Sequence, residues 1–136
     1  MTAVEAPLIA SAFVVSGKDF DPHCCTTAFG LRPTEVTVRG ELRPGKRPRA
    51  PSNSWYIEVQ RDAYSIDDVL KEVLDIVWPK REAIKVFTES ASLRTTFVVD
   101  VKIYCERPEY SLSPATIERM AYFQAEFGLD IFDMSK

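Results

Sequence analysis

A single histidine, His23, occurs in the whole chain of 136 residues. A Ser-His-Asp or Cys-His catalyst needs a base placed by one element against a nucleophile on another, and this chain offers that role one residue, with no nucleophile elbow. Cysteine is almost as scarce. Cys24 and Cys25 are adjacent and Cys105 stands apart, so neither a disulfide framework nor a Cys-x-x-Cys spacing exists, and reduced thiols in a cytoplasm are expected. The five glycines are scattered, which leaves no glycine-rich cradle for a phosphate. No long hydrophobic run is present either. The apolar stretch at residues 7–15 is too short to span a bilayer, and Glu5 is the one charged side chain ahead of it, where a secretory signal would carry basic residues. Finally, there is no excess of positive charge. Lys and Arg number 17 against 20 Asp and Glu, a balance that disfavours nucleic acid as the default partner. No membrane association, no cofactor and no metal site are expected.

What is present reads as one globular domain over residues 1–136. Hydrophobic residues make up 46% and charged residues 27%, which excludes a disordered tail. Residues 8–16 are apolar and rich in β-branched and aromatic side chains, the pattern of a central strand. Asp21-Pro22 places a cap and a first-turn proline before a short helix, with Cys25, Ala28 and Phe29 inward and Gly30 as its stop. Residues 34–39 and 55–60 alternate as strands, with Val36, Val38, Trp55, Ile57 and Val59 as their apolar positions. Ser65 and Asp68 resemble a capping box. Behind them Ile66, Val69, Leu70, Val73, Leu74, Val77 and Trp78 follow helical spacing without a break. Pro79 kinks this helix or divides it from a second one over residues 79–89, with Ala83, Ile84 and Phe87 inward. Residues 93–104 form the clearest strand. Ser113-Pro114 opens a last helix with Ile117, Met120 and Ala121 inward, Gly128 ends it, and residues 129–134 make a final strand.

This order, β-α-β-β-α-β-α-β, predicts an α+β fold. Its mainly antiparallel sheet carries helices on one face, as a ferredoxin-like split β-α-β core with an extra C-terminal helix and strand. The residues Asp19-Phe20-Asp21-Pro22, the short helix to Gly30-Leu31, Pro33-Thr34, Gly40, Trp55 and the closing Gly128-Leu129-Asp130-Ile131 resemble bacterial proteins catalogued as domain of unknown function 4279. The similarity extends over residues 9–133. It departs at His23-Cys24, where members of that family tend to carry acidic residues suited to the helix dipole. The resemblance implies a domain and carries no activity, cofactor or catalytic residue with it.

Four sets of side chains invite a chemical reading. A thiol at a helix N-terminus can be activated, which makes Cys24 the reactive-thiol candidate; Cys25 falls on the apolar stripe and reads as core. Consecutive helical residues point about 100° apart, so His23, Cys24 and Cys25 cannot converge on one metal ion. The segment 39–49 holds Arg39, Arg43, Lys46, Arg47 and Arg49 against Glu41. That +4 could attract an acidic protein, a phosphate or RNA, or could simply be a solvated loop that discourages edge pairing. Arg43, Lys46, Arg47 and Arg49, with Trp55 just beyond, are the binding candidates. Phe13, Tyr56, Tyr104 and Phe132 could stack bases on an uncovered sheet face, although the RNA-binding string of a basic residue, glycine and alternating aromatics is missing. Asp19, Asp21, Asp130 and Asp133 could meet only if the first and last strands were neighbours.

The leading functional expectation is therefore a small cytoplasmic interaction module that binds a protein partner or itself, with immunity-type neutralisation as one form. Nucleic-acid or phosphate-ligand binding through residues 39–49 is the first alternative. A thiol-based enzyme or redox sensor on Cys24 is the second.

Overall fold

A computed structural model describes residues 5–41 and 52–135. The element order is β1 (Leu8–Gly17), α1 (His23–Phe29), β2 (Glu35–Thr37), β3 (Asn53–Asp62), α2 (Ile66–Val77), a 3-10 turn (Trp78–Lys80), α3 (Arg81–Ser90), β4 (Arg94–Ile103), α4 (Pro114–Tyr122) and β5 (Glu126–Asp133). The strands form one five-stranded sheet in the order β2-β3-β1-β4-β5. Every neighbouring pair is antiparallel except β4 and β5, which run parallel. The fold is thus α+β with a mainly antiparallel sheet. β3 lies between β1 and β2, and β1 lies between β3 and β4.

The pleat sends alternate side chains to opposite faces. On β1, β3 and β4 the odd-numbered residues Ile9, Phe13, Val15, Trp55, Ile57, Phe97, Val99, Val101 and Ile103 are buried in one apolar cluster. The registers Phe13↔Ile57 and Phe13↔Phe97 put them on a common face. That face is roofed by the α2 stripe of Ile66, Val69, Leu70, Val73, Leu74 and Val77, all buried. Phe29 of α1 meets Trp55 edge-on at 5.1 Å, and Phe123, just after α4, packs on Phe13 at 5.5 Å. All four helices therefore occupy one side of the sheet.

Local details depart from simple sequence rules where tertiary contacts supply a better partner. Ser65 makes no side-chain cap on α2. Instead the Ile66 N–H donates to the Glu109 carbonyl at 3.1 Å and the Glu109 N–H to the Tyr64 carbonyl at 2.8 Å, so a distant strand-like bridge caps the helix. At α1, the Asp21 carboxylate accepts from the His23 N–H at 3.0 Å, and the helix begins one residue after Pro22. Pro79 lies in the 3-10 turn that separates α2 from α3, so the two are distinct helices.

Ala28 and Ala83 are exposed, and Thr88 is the buried partner of Ile84 on α3. On α4 the inward residues are Thr116 and Met120, while Ile117 and Ala121 face solvent. That rotation lets the chain turn over the sheet at Phe123. α4 ends at Tyr122, and Gln124 takes φ of 53°. Gly128, expected to stop the helix, lies inside β5 opposite Val98.

The N-termini of α2 and α4 are tied by Asp67. Its carboxylate accepts from the Ser113 N–H at 3.1 Å and pairs with Lys71 at 3.1 Å, while the Ser113 hydroxyl accepts from the Thr116 N–H at 3.3 Å. Burial pulls the Asp67 carboxyl upward, but hydrogen bonds from Thr116 and Ser113 and the Lys71 charge outweigh it, and the group sits below the usual carboxylate range. The unfolded chain therefore binds the proton more tightly. The stabilisation is complete above the unfolded pKa of about 3.9 and is lost as pH falls through the folded value. Asp67→Ala should cost roughly 2 kcal/mol at neutral pH, measured by urea unfolding, with the difference from the parent shrinking in acid.

Candidate functional site

The even-numbered residues of the same strands form the opposite face, and no helix of the described residues covers it. Its floor is Leu8, Ala10, Ala12 and Val14 of β1 with Val98 of β4. Small side chains on the central strand keep this floor low. Carboxylates flank it: Glu58 of β3 faces Ala12, Asp100 of β4 faces Ala10, and Asp130 of β5 pairs with Asp100. Glu35 of β2 stands farther out and accepts from the Tyr56 hydroxyl at 2.7 Å. Toward one end a shallow groove of about 260 Å³ is lined by Leu8, Ala10, Glu58, Gln60, Asp100, Lys102 and Phe132.

The electrostatics of this face are those of crowded acids. Burial raises the Asp100 carboxyl, and the charge and hydrogen bond of Asp130 raise it further. Glu58 is raised by burial and then by the charges of Asp100 and Glu35. A polyanion approaching here meets repulsion. Among the described residues, no three His, Cys, Asp or Glu side chains come together as a metal site. Asp19, Asp21, Asp130 and Asp133 do not converge through adjacent first and last strands, because β4 separates β1 from β5.

β5 forms one edge of the sheet. Phe127, Leu129 and Ile131 fall in the same row as buried Phe97, Val99 and Val101, yet they are 41%, 38% and 45% exposed. The helical roof stops over β4. Phe132, on the acidic face, is 47% exposed. The edge is eight residues long and straight in register. At the other edge β2 has only three residues, a length that discourages edge pairing.

The residues singled out from sequence fall in several places. Arg43, Lys46, Arg47 and Arg49 lie outside the described residues. Trp55 is fully buried and its indole N–H donates to the Thr26 hydroxyl at 3.0 Å, so its side chain is core and offers no contact surface. Phe13 is likewise buried between Phe97 and Phe123, on the face opposite Tyr56 and Phe132, so the aromatic quartet is not assembled as a stacking platform. Cys24 is exposed and Cys25 buried. Burial, with Cys24 and Asp21 adding to it, pushes the Cys25 thiol up to about 12, and it remains a neutral core group. The apolar row on β5 and the grouping of acids from β3, β4 and β5 on one face have no counterpart in the sequence reading. The alternation of Phe127, Leu129 and Ile131 was the available signal, obscured because Gly128 resembled a helix stop.

The family model described as Domain of unknown function (DUF4279) matches residues 7–134. This chain belongs to that family. No curated protein and no solved structure matches it. Membership spans all the strands and helices of the DUF4279 domain described above, and adds no reaction to them. None of its described helices is long and apolar enough to cross a membrane.

Two outcomes are expected of this domain. Asp100→Asn removes a partly buried charge and its repulsion with Asp130 on the neighbouring strand. A raised carboxyl makes the folded state the tighter proton binder, so the destabilisation is full above the folded pKa and absent below the unfolded one. The variant should gain roughly 0.2–1 kcal/mol at neutral pH and lose that gain in acid, as read by denaturant unfolding. Alkylation of the native chain at neutral pH, followed by peptide mapping, should modify Cys24 and Cys105 and leave Cys25 unmodified until the chain is unfolded.

Proposed function

We propose that this chain is a protein-interaction module that engages its partner through β5 and the adjoining acidic face. The observation that carries the reading is the long β5 edge, which exposes Phe127, Leu129 and Ile131 in a row. A free edge supplies unpaired main-chain donors and acceptors, and apolar side chains beside it supply burial. These are the two ingredients of recognition by strand addition. Edges are commonly protected by shortening, bulges or charge; β5 is neither short nor bulged, and its charges are Glu126, Asp130 and Asp133. The acid cluster of Glu58, Asp100 and Asp130 works against nucleic acid on this face. A neutralising role toward another protein and self-association are both forms of this module.

Hydrogen exchange in the presence of a stoichiometric protein co-purified from the native host tests the reading. The amides of β5 should gain protection on binding, and Leu129→Lys should weaken binding by about tenfold or more. Protection confined to the helical side, with β5 exchange and Leu129→Lys affinity unchanged, would remove the proposed surface.

A further inference from the structure

Resting on the interaction reading above, we infer that the occupant of this edge is a second copy of the chain, with β5 pairing antiparallel to the partner's β5 about a two-fold axis at Leu129. Main-chain parity comes first. The Met134 N–H donates to the Ile103 carbonyl at 2.7 Å, and β5 follows β4 without a register break from Thr96↔Glu126 to Ile103↔Asp133. Successive residues of a strand direct their N–H and C=O groups to opposite sides. The even-numbered residues therefore bond to β4, while Phe127, Leu129 and Ile131 aim their backbone groups at the free edge. The residues with available hydrogen-bonding groups are thus the ones whose side chains form the exposed apolar row.

Charge and apolar matching together select the register: centred on Phe127 or Ile131, no carboxylates oppose each other, but Leu129 meets the partner's Ala125 or the partner's Asp133. A two-fold axis normal to the sheet keeps each face with its own kind, so only pairings of odd with odd and even with even arise. Centred on Gly128, the pairing sets Glu126 against the partner's Asp130. Centred on Asp130, it sets that carboxylate against the partner's Asp130 and Phe127 against the partner's Asp133. Centred on Leu129, it sets Leu129 against the partner's Leu129, Phe127 against the partner's Ile131, and Gly128 against the partner's Asp130. In this last register no two carboxylates of the strand stand directly opposite, and the apolar row meets its own copy. Like charges directly opposite destabilise a strand pair and apolar pairs stabilise it. Residue i meeting residue j while j meets i is the self-complementarity that a closed two-fold dimer requires. The two sheets then run on as one. The contact is small, so the association is weak and concentration-dependent.

Sedimentation velocity on the full chain, over about a hundredfold range of concentration spanning micromolar Kd values, tests this. The wild type should shift from monomer toward dimer. Phe127→Lys and Ile131→Glu should each raise Kd by about tenfold or more, because the symmetry loses two apolar pairs at once. The double variant should recover most of the association, since the Leu129 register brings each new lysine opposite the partner's new glutamate, and recovery also shows that the variants fold. A wild type that stays monomeric, single variants that associate like the wild type, or a double variant as weak as the singles would each overturn the pairing. If the wild type is monomeric while Leu129→Lys still weakens a co-purified protein, self-pairing falls and the interaction reading stands. If that protein also ignores β5, both fall.

Discussion

The antiparallel pairing of β1 with β3 and β4 is the constraint on which the other contacts depend. β1 has a full strand on each side, so every main-chain donor and acceptor along it has a ladder to enter, and its side chains are committed to two faces at once. A slip of one residue would move Phe13 and Val15 to the open face and leave the α2 stripe facing Val14 and Ala12. The tertiary order follows from this commitment. α2 lies over β1 and β3 because their odd-numbered residues form the widest apolar surface, and α1 and α4 close its ends through Phe29 and Phe123. Two buried hydroxyls lie on the covered face: Thr95 donates to the Phe123 carbonyl at 3.0 Å, while Ser11 on β1 has no hydrogen-bond partner.

The same constraint explains the two surfaces proposed to bind. Helices that gather over the central strands leave the outermost strand uncovered, and the β5 row continues the core row of β4 into solvent. On the reverse face, the alanines of β1 make a shallow floor between strands that carry acids. The carboxylates of Asp100 and Asp130 face each other because β4 and β5 are parallel neighbours in matched register. This arrangement is mildly destabilising and contributes nothing to the core.

Most elements were legible in the sequence because their signals are local. The α2 stripe, the alternation along β3 and β4, the Ser113 cap and the Gly30 stop each rest on periodicity or on the conformational preference of one residue. The less legible features depended on distant partners. Ser65 carries the sequence of a cap, but the Glu109 carbonyl occupies the Ile66 N–H. Trp55 reads equally as a surface aromatic or a core one, and the edge-on contact with Phe29 and the hydrogen bond to Thr26 place it inside. Ile117 and Ala121 fit a helical stripe as well as Thr116 and Met120 do, and the position of Phe123 over Phe13 chose between them.

By itself, then, the sequence determined the α+β class, the number of strands and the order of elements along the chain, the α2 stripe, the thiol-poor and histidine-poor chemistry, and the polarised charge. These follow from side-chain type and spacing, which act within a few residues. Only the tertiary structure decided that β4 stands between β1 and β5, that Asp100 and Asp130 pair on the open face, and that Phe127, Leu129 and Ile131 stay exposed beside the described helices. Those facts concern which strands are neighbours and where the helical layer ends, and both are set by long-range pairing and packing that no local pattern encodes.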